Sequence, residues 1–205
     1  MNRAKSQRRF VFACLAPAVI LVALFMFWPT VNVFRMSLYR MGGITNRKEF
    51  IGLQNFKTLM EDKNFLEAMQ NTILIIVMVM IFTIVFAILF AAILQRGKFK
   101  GKNFFRVIFY IPNILSIVVI GGIFGAIYDP SNGLLNTFLE AVHLDFLTHK
   151  WMGEPKIVIY SIIFALVWQA IGYYMVMYMS GMSAIPEDLY EAASLDGSSE
   201  INTFF

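Results

Sequence analysis

Charged residues are scarce in this sequence. Of its 205 residues only 15% are Asp, Glu, Lys or Arg, whereas 59% are hydrophobic. A soluble globular domain carries about 25% charged residues, so this composition excludes that class and predicts a membrane protein. The formal net charge of +4 is small. Basic residues beside apolar segments usually set membrane orientation, so the charge gives no reason to expect a nucleic-acid partner.

Cysteine is almost absent, and so are several motifs of enzymes. Cys14 is the single cysteine, which excludes an intramolecular disulfide. Because it lies in an apolar run, we expect it to be a small buried hydrophobic residue. His143 and His149 lack the clustered Cys, His or carboxylate partners of a metal site, so no metal is expected. No G-x-x-x-x-G-K-[ST] loop is present, so the sequence shows no phosphate-binding motif of an ATPase.

Four apolar segments are long enough to cross a bilayer, which takes about 20 residues as a helix. They cover residues 10–34, 72–94, 104–128 and 157–179. Backbone groups in hydrocarbon must be satisfied within the segment, and the alternation of a barrel strand is absent, so each is predicted to be a helix. Pro17, Pro29 and Pro112 are expected to kink these helices. The fold class is therefore an all-α polytopic membrane protein.

Basic residues cluster without acids in two short segments. These are the tail, residues 1–9, and the link between the second and third spans; the residues are Arg3, Lys5, Arg8 and Arg9, and Arg96, Lys98, Lys100 and Lys102. Such clusters mark cytoplasmic segments, so the N-terminus is expected in the cytoplasm. Residues 35–69 and 129–156 then lie outside. Four crossings return residues 180–205 to the cytoplasm, and we read residues 10–205 as one transmembrane domain.

The two outer segments show patterns of folded structure. Residues 50–60 space their apolar side chains like an amphipathic surface helix. Asp129-Pro-Ser-Asn-Gly133 is typical of a turn, and residues 134–139 after it have helical spacing.

The spans carry no Asp, Glu, Lys, Arg or His near their centres. Ion-coupled carriers usually need such groups there, so their absence favours an externally powered carrier. Trp168, Gln169 and Tyr173 of the fourth span are candidates for substrate contact, because aromatic planes and amides suit neutral sugars. Asn113 of the third span is a weaker candidate. The alternative for all of them is helix packing.

The last 20 residues predict a helix, a turn and a second helix. Pro186 suits a first helical position, and the acids that follow it suit the positive end of the helix dipole. The first helix should end near Leu195, with Leu189, Ala192 and Ala193 on one small, smooth face. Asp196-Gly197 should break it, with a positive φ at the glycine. Ser198 or Ser199 can cap a second helix that ends in Phe204 and Phe205. Physics alone leaves two alternatives open, a docking surface and an ordinary helix-turn-helix.

The pattern E-A-A-x-x-x-G at residues 191–197 resembles the EAA loop of the membrane subunits of bacterial binding-protein-dependent ABC importers. Further stretches are similar to the carbohydrate branch of that family, the maltose and glycerol-phosphate type. They are Trp28-Pro-Thr, Gly52-Leu-Gln-Asn-Phe56, Phe104-Phe-Arg-Val, Gly133-Leu-Leu-Asn136, Trp168-Gln-Ala-Ile-Gly172 and Met182-Ser-Ala-Ile-Pro186.

The resemblance implies a multi-pass permease in a bacterial plasma membrane. It would translocate a sugar or polyol handed over by an external solute-binding protein, together with a second permease subunit. It would be no enzyme and hold no cofactor, because two cytoplasmic ATPase subunits bind the ATP. The loop 180–205 would couple to them through Glu191, Ala192, Ala193, Asp196 and Gly197. An amino acid, polyamine or phosphate ester remains an alternative solute.

Members of this family continue past the loop through about two more helices and have six in the core fold. This chain ends at Phe205, so the resemblance predicts a truncated permease with four of the six helices. A non-transporting membrane protein is the corresponding alternative.

Overall fold

The structure, a computed structural model, describes residues 3–41, 48–96, 101–199 and 202. Its described helices are α1 (Arg3–Val22), α2 (Trp28–Met36), α3 (Gln54–Glu61), α4 (Lys63–Arg96), α5 (Lys102–Ile114), α6 (Ile117–Ile127), α7 (Leu134–Ala141), α8 (Val158–Ser183) and α9 (Glu187–Leu195). A short antiparallel hairpin joins β1 (Tyr39–Met41) to β2 (Lys48–Phe50). The predicted helical membrane class is confirmed, with this hairpin as a small addition.

The chain divides into two compact units, Met1–Met69 and Gln70–Phe205, and the division falls within α4. The first unit holds the first span, a continuous apolar helix over Gln7–Met36. The predicted span 10–34 lies within it. A π-helical turn, Ala23–Phe27, stands directly before Pro29. Proline lacks the N–H that would bond the carbonyl of Phe25, and the wider turn accommodates that loss.

The helix α1 runs through Pro17. One expectation for the first span needs correction. Cys14 is exposed on the surface of α1 rather than buried. The reason is that the apolar stretch of this span is 0% buried, so its hydrophobic side chains have no protein core to enter.

The hairpin and α3 replace the longer surface helix that the sequence predicts over residues 50–60. Phe50 belongs to β2, where it stands opposite Tyr39 with ring centroids 5.3 Å apart. The helix begins only at Gln54, after a turn at Gly52 with φ of 57°. The side-chain amide of Asn55 donates to the carbonyls of Ser37 and Tyr39 at 2.8 and 3.2 Å. These bonds fasten α3 to the end of the first span.

The second and fourth spans are single long helices. They cover Lys63–Gln95 and Val158–Ser183, and both are longer than the predicted spans 72–94 and 157–179. Ala87, Ala91 and Leu94 of α4 form one buried cluster with Met175 and Met179 of α8. Ile120, Phe124 and Tyr128 form a second cluster, against which Trp168 packs.

The third span is broken, which corrects the prediction of one kinked helix over residues 104–128. The helices α5 and α6 meet at 103°, so the described residues contain three helices of spanning length, or four spans if this pair counts as one. Pro112 removes a backbone donor near the end of α5. Leu115 and Ser116 are then extended, and the Ser116 hydroxyl accepts a bond from the Val119 N–H at 3.4 Å. This cap starts a new helix in a new direction.

Candidate functional site

The predicted helix after Pro186 is present. It is α9, Glu187–Leu195, and its first described backbone bond runs from the Leu189 N–H to the Pro186 carbonyl at 3.3 Å. Asp188 lies exposed in its first turn. An acid there is favourable because the unpaired N–H groups give a helix N-terminus a partial positive charge.

Gly197 ends α9 with φ of 76°, which confirms the predicted left-handed position. The Ser198 N–H donates to the Ala193 carbonyl and the Asp196 N–H to the Ala192 carbonyl, both at 3.0 Å. The first of these bonds is the long bond of a Schellman motif, which satisfies helix-end carbonyls when the following residue adopts φ > 0. Glycine takes this conformation without steric cost.

The exposed surface of α9 is both apolar and acidic. Leu189 is 61% exposed and Leu195 is 89% exposed. Glu191 and Ala192 are exposed as well, whereas Ala193 is half-buried. The predicted smooth face is therefore open at Leu189 and Ala192 and partly covered at Ala193. Exposed leucines beside carboxylates on a polar segment are typical of a surface that another protein covers.

Only part of the predicted second helix falls within the described residues. The Ser199 hydroxyl accepts a bond from the Asn202 N–H at 3.3 Å, the geometry of an N-terminal cap. Phe204 and Phe205 lie outside the described residues.

A group of polar bonds joins three helix ends immediately before α9, and the sequence analysis missed it. The side-chain amide of Gln95 in α4 donates to the Ser183 hydroxyl in α8 at 3.0 Å. The Lys102 ammonium at the start of α5 donates to the Gln95 carbonyl at 3.1 Å. We call these three residues the clasp. The clasp places Gln95 and Lys102, on either side of the basic link in the sequence, at the same end of the second unit as α9.

A second polar network holds the opposite end of the unit, around Asn136 of α7. The amide of Asn136 donates to the His149 carbonyl at 3.0 Å, and its oxygen accepts from the Trp151 indole at 2.7 Å. Ser161 of α8 donates to the Trp151 carbonyl at 2.9 Å and accepts, through its own carbonyl, from the Tyr128 hydroxyl at 3.2 Å. The network ties α7 and the following loop to α6 and α8.

Asp129 shapes the turn that precedes α7, as predicted. Its carboxylate accepts from the N–H groups of Asn132 and Ser131 at 2.9 and 2.8 Å. These bonds hold the pKa of the Asp129 carboxyl below its ordinary value, with the Asn132 bond contributing most. Gly133 closes the turn, since a Cβ there would meet the Asp129 carbonyl oxygen at 2.2 Å.

The four candidate residues for substrate contact are not gathered around one cavity. Trp168 packs edge-on against Phe124 with ring centroids 5.4 Å apart. Tyr173 is exposed beside Tyr174 at 5.3 Å. Gln169 and Asn113 are half-buried, and neither amide has a hydrogen bond among the described residues. For Trp168 the packing alternative has direct support.

An apolar groove of about 340 Å³ lies between α5 and α8. Its lining is Ile108, Phe109, Ile111, Pro112, Trp168 and Ile171. Beside it the two helices meet at Gly172, where a Cβ would lie 1.9 Å from the Phe109 carbonyl oxygen. Small residues at such crossings let membrane helices approach closely. Among the described residues no three His, Cys, Asp or Glu side chains come together as a metal site.

Comparison with known proteins gives a consistent result. Residues 84–205 match the family model of the binding-protein-dependent transport system inner membrane component. A probable ABC transporter permease protein, YurN, of Bacillus subtilis strain 168 is 36% identical over 93% of this chain and 65% of its own length. A diacetylchitobiose uptake system permease protein of Streptomyces coelicolor is 29% identical over 95% of this chain and 58% of its own length.

A solved structure has the same fold. It is the crystal structure of a bacterial ABC transporter involved in the import of the acidic polysaccharide alginate. One of its chains matches with a TM-score of 0.81 and 24% identity, covering 96% of this chain and 65% of that chain. The chain described here thus spans about two thirds of the length of the proteins that it matches.

Proposed function

The chain belongs to the family of binding-protein-dependent transport system inner membrane components, and from that premise we propose that it is a permease subunit of an ATP-driven importer for a sugar or related polyol. The observation that carries this proposal is the family match over residues 84–205, which includes α9. Support for the solute comes from relatives whose names refer to sugars, among them a multiple sugar-binding and a lactose transport system permease.

The α9 segment, residues 184–199, is the proposed contact with cytoplasmic ATPase subunits. Leu189 and Ala192 offer an open apolar surface, and Asp188 and Glu191 place acids beside it. Gly197 sets the turn after it. We assign the coupling role to Glu191, Ala192, Ala193, Asp196 and Gly197. The ATP would be bound by those separate subunits, and this chain would hold no cofactor and do no catalysis.

Further partners belong to the same proposal. A second permease subunit would complete the translocation path, and an external binding protein would deliver the solute. A crystal structure of the alginate transporter in complex with alginate pentasaccharide-bound periplasmic protein is also similar to this chain, with a TM-score of 0.80. Trp168, Gln169, Tyr173 and Asn113 stay proposed contacts of the substrate path. Gln169 and Asn113 come first, because neither amide has a hydrogen bond among the described residues.

The N-terminus is proposed to be cytoplasmic in a bacterial inner membrane. Support comes from Lys102 of the acid-free basic cluster, which lies at the same end of the second unit as Ser183 and the α9 segment. Single cysteines replacing Gly101 and Gly52, in a Cys14→Ser background, test it with a membrane-impermeant thiol reagent on intact cells. We expect labelling at position 52 only. Labelling at position 101 alone would show the opposite orientation.

Uptake by cells tests the function itself. Cells with and without the gene receive labelled diacetylchitobiose, an alginate oligosaccharide, arginine, spermidine or sn-glycerol 3-phosphate. We expect gene-dependent, ATP-dependent uptake of a saccharide, and loss of uptake with Glu191→Lys. Uptake of arginine, spermidine or glycerol phosphate alone would support the alternative solute classes. Uptake that persists without cellular ATP would refute an ATP-driven importer.

A further inference from the structure

The end of α8 nearest to α9 is attached to two other helices through the clasp. Gln95, Ser183 and Lys102 come from α4, α8 and α5. The donors and acceptors are fixed by chemistry. The Ser183 hydroxyl donates its single proton to the Met179 carbonyl at 2.8 Å. Towards any other neighbour it can therefore only accept, and it accepts from the side-chain amide N–H of Gln95.

The clasp also uses the charge of Lys102. The last carbonyls of a helix have no partner within it and carry a partial negative charge. The Gln95 carbonyl lies in the last turn of α4, and the ammonium of Lys102 caps it. Gln95 is therefore held at two atoms, its side-chain amide by α8 and its backbone oxygen by α5.

The connection from the clasp to α9 is short and internally bonded. Only Ala184 to Pro186 separate Ser183 from α9. The Ala184 N–H donates to the Gly181 carbonyl at 3.1 Å and the Ile185 N–H to the Met182 carbonyl at 3.2 Å. Behind the clasp, α4 and α8 are packed through the buried cluster of Ala87, Ala91 and Leu94 with Met175 and Met179. Few freely rotating backbone bonds therefore lie between α9 and Ser183, so a displacement of α9 is transmitted to Ser183.

We propose that Gln95 is a positioning residue for coupling: through Ser183 and Lys102 it makes the α4–α5 pair follow α9 when α9 is displaced. The proposal rests on the proposed function, in which an ATPase subunit moves α9. Without the clasp, α9 and α8 would still move, but α4 and α5 would follow them less completely. ATP hydrolysis would then respond less to a loaded binding protein.

The test compares two serines of α8. Ser183→Ala removes the acceptor for Gln95. Ser180→Ala is the matched control, because among the described residues Ser180 bonds to the Val176 carbonyl of its own helix, at 3.1 Å, and to no other helix. The importer complex is purified with all of its subunits. ATP hydrolysis is measured with Mg·ATP, with and without the binding protein loaded with the saccharide found in the uptake experiment.

We expect Ser183→Ala and Gln95→Leu each to lower the stimulation of ATP hydrolysis by about three- to ten-fold, the worth of one hydrogen bond. The double variant should lose no more than either single variant, since both remove the same interaction. Ser183→Thr, which keeps the hydroxyl, should restore stimulation, and Ser180→Ala should leave it unchanged. Full stimulation in both single variants would overturn the proposal.

A distance measurement separates positioning from general stability. Spin labels replace Asp188 of α9 and Phe104 of α5, both exposed, in the Cys14→Ser background. In the parent protein the distance distribution should stay narrow in the nucleotide-free state and in the state trapped with Mg·ATP and orthovanadate. Gln95→Leu should broaden it. An equally narrow distribution in Gln95→Leu would contradict the inference.

A reference variant keeps this test apart from that of the proposed function. Glu191→Lys, in the contact surface itself, is assayed in the same series for co-purification of the ATPase subunit. If it loses the ATPase while the clasp variants keep full stimulation, only the clasp inference fails. If Glu191→Lys keeps both the ATPase and its stimulation, the assignment of α9 fails, whatever the clasp variants do.

Discussion

The first and fourth spans are both apolar enough to cross a membrane, yet they differ in how much of each is buried among the described residues. None of the apolar stretch within Gln7–Met36 is buried, whereas 28% of that within Val158–Ser183 is. The first span exposes large side chains such as Phe25, Phe27 and Trp28, each at least 65% exposed. The fourth carries Ser161, Gly172 and Ser183 where other elements approach it.

Hydrophobicity therefore identifies a membrane span but does not determine which helices pack against it. Lipid chains are as apolar as leucine, so large side chains gain little by leaving them for protein. Close packing and interhelical hydrogen bonds decide which spans associate. In the second unit these come from small residues at helical spacing, such as Ala87 and Ala91, and from hydroxyls and amides at helix ends.

The largest expected effect is at the closest helix approach. Gly172→Ala places a methyl group 1.9 Å from the Phe109 carbonyl oxygen, so α5 and α8 must separate. We expect a loss of about 3 kcal/mol in stability. Gly181→Ala is the control on the same helix, because a Cβ there meets nothing within 4 Å. Thermal unfolding of the detergent-purified subunit compares them. Equal unfolding midpoints for both variants would show that the close approach of α5 and α8 at Gly172 does not contribute to stability.

A matched pair of methionines tests the comparison of the two units. Met175 is 0% exposed in the cluster between α4 and α8, and Met26 is 66% exposed on the first span. We expect Met175→Ala to cost about 2–3 kcal/mol, because it leaves a cavity in packed protein. Met26→Ala should cost about 0.5 kcal/mol or less. Denaturant unfolding in mixed micelles measures both, and similar losses would show that the first span is packed as closely as the fourth.

A matched pair of glycines separates backbone strain from partner contact. Gly197 and Gly52 have φ of 76° and 57°, and a Cβ at either would meet open space. Valine at either position should cost about 1 kcal/mol or more of local strain. Only Gly197→Val should reduce co-purification and stimulation of the ATPase subunit, because only Gly197 ends α9. Gly197→Asn should have a smaller effect on co-purification and stimulation, because asparagine adopts this left-handed conformation more readily than valine. An effect of equal size from Gly52→Val would assign the loss to folding.

The smallest expected effect is a pH dependence at the turn before α7. The folded-state pKa of Asp129 is lowered by its bonds from Asn132 and Ser131. Its contribution is therefore present above the ordinary pKa of aspartate, about 3.9, and is lost as pH falls through the lower folded value. Hydrogen exchange of the Asn132 amide should lose protection in that acidic range. Asp129→Asn should abolish the pH dependence; its persistence would assign it to another group.

Much of the fold could be predicted from the sequence, because helix is the only open state that satisfies backbone groups in hydrocarbon. The first, second and fourth spans follow from this constraint. The turn at Asp129 and the positive φ at Gly197 follow instead from local turn chemistry. The break between α5 and α6 was missed because Pro112 signals a lost donor but not a change of direction. That direction depends on the extended Leu115 and on the capping hydroxyl of Ser116.

The candidate site was predictable only in its local part. The helix and turn of α9 are determined by consecutive residues, from Pro186 to Gly197. The clasp joins residues 88 positions apart, and no periodicity links Gln95 to Ser183. In the sequence, Lys102 belongs to a basic cluster that predicts membrane orientation. Its bond to the end of α4 depends on two helix ends that meet only in the folded structure. The only signal available was a polar amide at the end of an otherwise apolar helix.

Photocrosslinking tests most directly whether α9 contacts an ATPase subunit in cells. A photoreactive amino acid replaces Leu189 of α9, and in a control replaces Leu134 of α7, which is 68% exposed against 61% for Leu189. After illumination of intact cells, adducts are identified by mass spectrometry. We predict that position 189 forms an adduct with an ATP-hydrolysing subunit and position 134 does not. No such adduct at position 189, or the same adduct at both positions, would contradict the account.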